Sequence, residues 1–114
     1  MGFIGLGMMG MPMALSAARA GIEVIAYDAA PCRGPEFIAL AGEDRHDIAA
    51  SPAELGMECD VAVLMLPTSK HVCEVAPELA AAMKRGGLII DMGSSIPGET
   101  RRLAAKLAPR TTLI

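Results

Sequence analysis

Aromatic side chains are scarce in this chain: they make up 3% of its 114 residues, and tryptophan is missing altogether. With 53% of the residues hydrophobic, the core must be built from aliphatics, alanine and methionine. A basic excess is lacking as well. The formal net charge is -3, which excludes the basic footprint that nucleic-acid binding needs. The cysteines Cys32, Cys59 and Cys73 are odd in number and show no C-x-x-C spacing, so they read as reduced cytosolic thiols rather than a disulfide framework. His46 and His71 are far apart with no ligand-like spacing, and no metal site is expected. No long hydrophobic run is present either: Val61 to Leu66 is far too short to span a bilayer. The N-terminus has no basic region of the kind that opens a secretory signal. The expectation is a soluble cytoplasmic protein with neither a nucleic-acid nor a membrane partner.

What is present is concentrated near the start. Gly2-Phe3-Ile4 is a short apolar run that leads into Gly5-Leu6-Gly7-Met8-Met9-Gly10. A helical run follows from Met11 to Ala20, and Gly21 stands where that helix would stop. The next apolar run, Val24-Ile25-Ala26-Tyr27, ends on Asp28. Strand, glycine turn, helix, strand and terminal carboxylate are the parts that hold a dinucleotide. Gly5 allows the tight turn, Gly7 lets the backbone approach a pyrophosphate, and Gly10 lets the helix pack close to the strand. The helix N-terminus offers free N–H groups and the positive end of its dipole to the anion. Asp28 accepts hydrogen bonds from ribose hydroxyls in this reading, which favours NAD, because a carboxylate there repels a 2′-phosphate. NADP is the alternative, since Arg33 lies close enough in sequence to reach that phosphate.

Punctuation divides the remainder into alternating strands and helices. A short helix is expected over Glu36 to Ala41, a third strand over Asp47 to Ala50, and a brief helix after the N-cap Ser51. Asp60 to Leu66 is the clearest strand, ended by Pro67. Helices are expected over Ser69 to Val75 and, started afresh by Pro77, over Pro77 to Arg85. Leu88 to Asp91 reads as the fifth strand, Pro97 to Leu107 as a helix, and Thr111 to Ile114 as the start of a sixth strand. Such alternation predicts an α/β doubly wound parallel sheet, the Rossmann fold, in strand order 3-2-1-4-5-6. Residues 1–114 read as one dinucleotide-binding domain, truncated at both ends and belonging to a longer polypeptide.

The run Gly2 to Ala14 resembles the opening motif of the β-hydroxyacid dehydrogenases, whose members include 3-hydroxyisobutyrate dehydrogenase, tartronate semialdehyde reductase and, more distantly, 6-phosphogluconate dehydrogenase. The resemblance continues through Tyr27-Asp28, Ser51 to Glu54, Met65 to Ser69 and Ile90 to Pro97. It implies an oxidoreductase that transfers a hydride between NAD or NADP and a small 3-hydroxy acid of the 3-hydroxyisobutyrate kind. It further implies that Gly5, Leu6, Gly7, Met8, Met9 and Gly10 hold the pyrophosphate and Asp28 the ribose. Leu66, Pro67 and His71 would line the cofactor, and Ser94 would touch nicotinamide and substrate, with Ser95 beside it on the substrate. Two departures stand out. Gly93 occupies the place of a family serine, and the family's catalytic lysine belongs to a segment beyond Ile114, so no catalytic residue is assigned in this chain. The chain alone is expected to bind cofactor without turnover, and exposed apolar surface suggests a homo-oligomer. Two other classes remain open on the residues alone: a dinucleotide-sensing module without chemistry, and an S-adenosylmethionine-dependent methyltransferase domain, which also ends its second strand on an acidic residue.

Overall fold

Successive side chains along a strand point to opposite faces, so an unbroken apolar run allows helices to pack on both sides of the sheet. In the computed structural model, which describes residues 1–93 and 96–114, Phe3 packs into one core and its neighbour Ile4 into the other. The elements run β1 (Gly2–Ile4), α1 (Gly10–Arg19), β2 (Val24–Tyr27), α2 (Arg33–Ala41), β3 (His46–Ile48), α3 (Pro52–Glu58), β4 (Val61–Leu64), α4 (Ser69–Ala82), β5 (Gly87–Asp91), α5 (Pro97–Leu107) and β6 (Thr111–Leu113). They form one six-stranded sheet in the order β3-β2-β1-β4-β5-β6, with every pairing parallel. This is the Rossmann-type order expected from the sequence.

Strand β1 lies at the centre: Ile4 is in register with Tyr27 on one side and Leu64 on the other. Phe3, Ala14, Leu15, Phe37 and Val63 fill the core beneath α1 and α2. Ile4, Leu55, Leu64, Leu79, Ile89 and Leu103 fill the core beneath α3, α4 and α5. Both faces of the central strands are therefore dry, which is why their sequences read as unbroken aliphatic runs.

Element boundaries shift by up to three residues from the sequence reading, β3 ending at Ile48 rather than Ala50, β4 at Leu64 rather than Leu66 and α4 at Ala82 rather than Arg85; two further differences have a clear physical reason. Pro77 lies inside a single helix, α4, rather than starting a second one. Proline there removes one backbone hydrogen bond and costs about 3 kcal/mol in a helix interior. The buried stripe Val72, Ala76, Leu79 and Ala80 runs past it without interruption, and that packing outweighs the penalty. Pro77 and Cys73, four residues before it, are both exposed, so the freed carbonyl faces water. Helix α2 starts at Arg33 rather than Glu36. Pro35 sits in its first turn, where a missing N–H loses nothing, so the proline fits inside the helix. This shift brings Arg33 to the edge of the sheet where the functional residues gather.

Candidate functional site

The carboxyl ends of β1, β2 and β4 open onto a cleft of about 910 Å³, a size suited to a small-molecule ligand. The backbone ladder carries the strands right up to its floor. Gly5 N–H donates to the Tyr27 carbonyl at 3.0 Å, Met65 N–H to Ile4 at 2.9 Å and Met92 N–H to Leu64 at 2.8 Å.

Each glycine of the first turn answers a different constraint. Gly5 has φ +100°, a conformation that disfavours side chains, and a Cβ there would collide with the Met65 carbonyl oxygen. A Cβ on Gly10 would strike the Gly5 carbonyl oxygen and come within 2.8 Å of its carbon, so only glycine lets α1 sit this close to β1. Gly7 is different: a Cβ there would meet nothing within 4 Å. It is part of the cleft wall, and its missing side chain leaves room for a ligand instead of for protein. Helix α1 has Met9 at its N-cap position with no side-chain cap, whereas Ser51 caps α3 and Thr68 caps α4. Within its first turn Met11 N–H donates to the Gly7 carbonyl at 3.0 Å and Pro12 has no N–H, so the donors for an anion are the N–H groups that precede Met11.

Asp28, at the end of β2, is half-buried on the cleft wall. Its Oδ2 accepts the Leu6 N–H at 2.7 Å and its Oδ1 accepts the Ala30 N–H at 2.8 Å. A carboxylate has about four acceptor positions, so two remain for hydroxyl donors. The two backbone bonds also fix its orientation. Leu6 therefore stands apart from the other residues of the glycine turn: its side chain is fully buried and its N–H is spent on Asp28, so it does not form part of the cleft wall.

Gly5, Gly7, Met8, Met9, Gly10, Asp28, Leu66, Pro67 and His71 do converge on the cleft. His71 lies in the first turn of α4, its Nδ1 2.7 Å from the Thr68 hydroxyl. Ser94 and Ser95 lie outside the described residues. Their neighbours show how the turn is held: Gly93 N–H donates to Asp91 Oδ1 at 3.0 Å, and Ile96 N–H donates to the buried Ser69 Oγ at 2.6 Å. Sequence reasoning missed Ser69, because a bond across 27 positions leaves no local pattern. It also missed Glu74 and Glu78, which share the cleft with Arg33; on sequence they are only the polar side of a helix. Glu78 Oε2 accepts the Ala53 N–H at 3.1 Å, and Arg33 pairs with Glu36 at 3.8 Å. Cys59 is remote from the cleft; burial pushes its thiol up from the ordinary value of 9.0, which makes it a poor nucleophile. Among the described residues, no cluster of histidine, cysteine and acidic side chains is suited to a metal ion.

The family model for the NAD binding domain of 6-phosphogluconate dehydrogenase matches residues 1–114. The chain belongs to this family. It is 38% identical over 109 residues to the mitochondrial 3-hydroxyisobutyrate dehydrogenase of Mus musculus, an alignment that covers 93% of this chain and 31% of that protein. Against the L-threonate dehydrogenase of Cupriavidus necator the identity is 37% over 116 residues, covering 99% of this chain and 38% of the relative. The solved structure of Mycobacterium tuberculosis 3-hydroxyisobutyrate dehydrogenase with L-serine superposes with a TM-score of 0.88 at 29% identity, covering 98% of this chain and 38% of that one. The chain thus spans about a third of the length of the curated relatives it matches. Membership of this family supports a nicotinamide cofactor. No helix among the described residues is long and apolar enough to cross a membrane.

Proposed function

We propose that this chain is the cofactor-binding part of a dehydrogenase acting on a small 3-hydroxy acid, and that it holds NAD in preference to NADP. The observation that carries the reading is the pairing of Gly7, open to the cleft, with the uncapped start of α1. Together they supply space and donors for a pyrophosphate, and Gly5, Met8, Met9 and Gly10 complete that cradle. Leu6 contributes indirectly, through the bond that aims Asp28.

The cofactor preference follows from charge. Asp28, Glu74 and Glu78 share the cleft with a single arginine, Arg33, and Glu36 already engages it. A 2′-phosphate brought to Asp28 would meet like charge, whereas a ribose diol meets two free acceptor positions. Leu66 and Pro67 bring an apolar edge to the cofactor, and His71 flanks it from α4. Held by these residues, a nicotinamide would supply the acceptor or donor for the hydride.

Ser94 and Ser95, placed in sequence between the anchored Gly93 and Ile96, border the substrate in this reading. Helix α5 follows them in sequence with no side-chain cap at Ile96; Pro97 has no N–H, and Ile96, Glu99 and Thr100 N–H are spent on Ser69 Oγ and the Ile96 carbonyl, so the Gly98 N–H is the donor this helix start offers a substrate carboxylate. Oxidising an alcohol also requires a group that takes the hydroxyl proton. Among the described residues of the cleft, Asp28 is committed to the turn after β1, Glu78 to α3, and the imidazole Nδ1 of His71 to Thr68. Glu74, also on the cleft, lies on the exposed side of α4, and in this reading the 114-residue chain by itself binds cofactor without turning over a hydroxy acid. Sustained reduction of NAD by 3-hydroxy acids, abolished by His71→Ala, would contradict this.

The test of the cofactor assignment is a titration of NAD and NADP against the wild type and Asp28→Asn, which keeps one acceptor for the loop. The wild type is expected to bind NAD more tightly, and the variant to shift the ratio toward NADP by about tenfold, the equivalent of one charge interaction of about 1.4 kcal/mol. Tighter NADP binding by the wild type, or an unchanged ratio, overturns the role of Asp28.

A further inference from the structure

Methionine sulfur is usually kept in the interior, and this chain follows that rule with Met11 and Met83, which are 8% and 0% exposed. Met57 on α3, 65% exposed and outside the cleft, departs from it, and so does the glycine turn. Met8 is 93% exposed and Met9 is 66% exposed, both between Gly7 and Gly10 and both on the cleft wall. Met92, 49% exposed, stands on the same wall at the end of β5. An exposed thioether packs against nothing, so packing does not account for two successive methionines at the start of α1. Exposure is also what makes a methionine open to oxidation.

We propose that Met8 and Met9 form a reversible oxidation site through which a hydroperoxide weakens dinucleotide binding. The inference rests on the nicotinamide reading of the cleft. In the reaction, a sulfur lone pair attacks one oxygen of hydrogen peroxide. The S–O bond forms as the O–O bond breaks, sulfur gives up two electrons, and the second oxygen leaves as water with both protons. The product is methionine sulfoxide, whose oxygen carries partial negative charge and accepts hydrogen bonds. Met9 is the N-cap residue of α1 and Met8 precedes it, so that oxygen is introduced at the start of a helix with no side-chain cap, in the turn a pyrophosphate would use. It competes for the N–H groups of that turn and opposes the anion. The coupling works in both directions: a ligand that covers the turn shields the two sulfurs, so bound NAD slows their oxidation.

The experiment treats the chain with hydrogen peroxide, maps sulfoxides by peptide mass spectrometry, and titrates NAD before and after. Met8 and Met9 are expected to oxidise well ahead of Met11 and Met83, more slowly when NAD is present. NAD affinity is expected to fall by about tenfold, in line with the loss of a hydrogen bond to a charged group, and to recover on treatment with methionine sulfoxide reductases. The double variant Met8→Leu/Met9→Leu, whatever its own affinity, is expected to give the same value before and after peroxide. The double variant Cys32→Ser/Cys73→Ser, which removes the two exposed thiols, is expected to lose affinity as the wild type does. If both methionines oxidise and affinity holds, or if Met8→Leu/Met9→Leu remains peroxide-sensitive, the inference is overturned and the nicotinamide reading stands. If the unoxidised chain fails to bind NAD, both are overturned.

Discussion

The two ends of this sheet face solvent in opposite ways. At the amino end, where β1, β2 and β3 begin, a smaller recess of about 330 Å³ is lined by Glu23, Asp44, Asp47 and Glu58. Its donors are already spent: the Met1 amino group donates to the Glu23 carbonyl, and Arg45 donates to the Gly21 carbonyl and lies 3.9 Å from the Glu23 carboxylate. The last turn of α4 is closed in the same manner by Arg110, whose guanidinium donates to the carbonyls of Ala80, Ala81 and Met83. At the carboxyl end, α1 starts without a side-chain cap beside a glycine with open space where a side chain would be, and the N–H groups that precede Met11 are the ones left for a ligand. In a parallel sheet every connecting helix starts at the carboxyl end of a strand, so positive dipole ends gather at one edge and negative ends at the other. What distinguishes a binding edge from a merely folded one is which donors remain unspent.

Gly10→Ala breaks the comparison most severely. Its methyl group is forced onto the Gly5 carbonyl, which belongs to backbone and cannot swing aside. The expected loss is about 3 kcal/mol of stability together with all dinucleotide binding, read from urea denaturation and cofactor titration. A stability equal to that of the wild type would show that the helix–strand contact is looser than the geometry states.

Gly7→Ala sharpens the comparison, because it separates folding from binding. No protein atom lies within 4 Å of the new methyl group. Stability should change by less than about 0.5 kcal/mol while NAD affinity falls at least about tenfold. Equal losses in the two measurements would mean that Gly7 serves the fold rather than the ligand.

Arg110→Ala tests the opposite edge and has the smallest expected effect. Its side chain is largely exposed, so its removal should cost only about 1 kcal/mol and leave NAD affinity unchanged. A change in cofactor affinity would show that the two edges are coupled.

Much of this was legible in the sequence, for identifiable reasons. Strand β1 is buried throughout, β4 nearly so, and β5 has Ile89 buried between the half-buried Leu88 and Ile90, so Val61 to Leu64 and Leu88 to Ile90 stand out as aliphatic runs, and the strand order follows from the handedness of parallel crossovers. The roles of Gly5 and Gly10 were legible because the tight turn and the close helix–strand contact each demand glycine at a fixed offset. Contacts between segments distant in the chain were not. Pro77 looked like a helix start because the stripe that carries α4 past it depends on the sheet beneath. Leu6 looked like one more phosphate-binding residue, although Asp28, across 22 positions, takes its N–H. Ser69 and Arg110 act on carbonyl or amide groups 27 to 30 positions away, and no periodicity announces such bonds.

The central claim is that the carboxyl edge, through the turn after β1, is where the dinucleotide sits. The most direct measurement is a titration of the isotopically labelled chain with NAD, followed residue by residue through the backbone amide resonances. The account predicts the largest shifts at Gly7, Met8, Met9 and Gly10, with a second group at Asp28, Ala29 and Ala30. Smaller shifts should appear at Leu66 and His71, and none at Glu23 or Asp44 to Asp47. Shifts centred on that acidic amino edge, or a glycine turn left unmoved at saturating NAD, would contradict it.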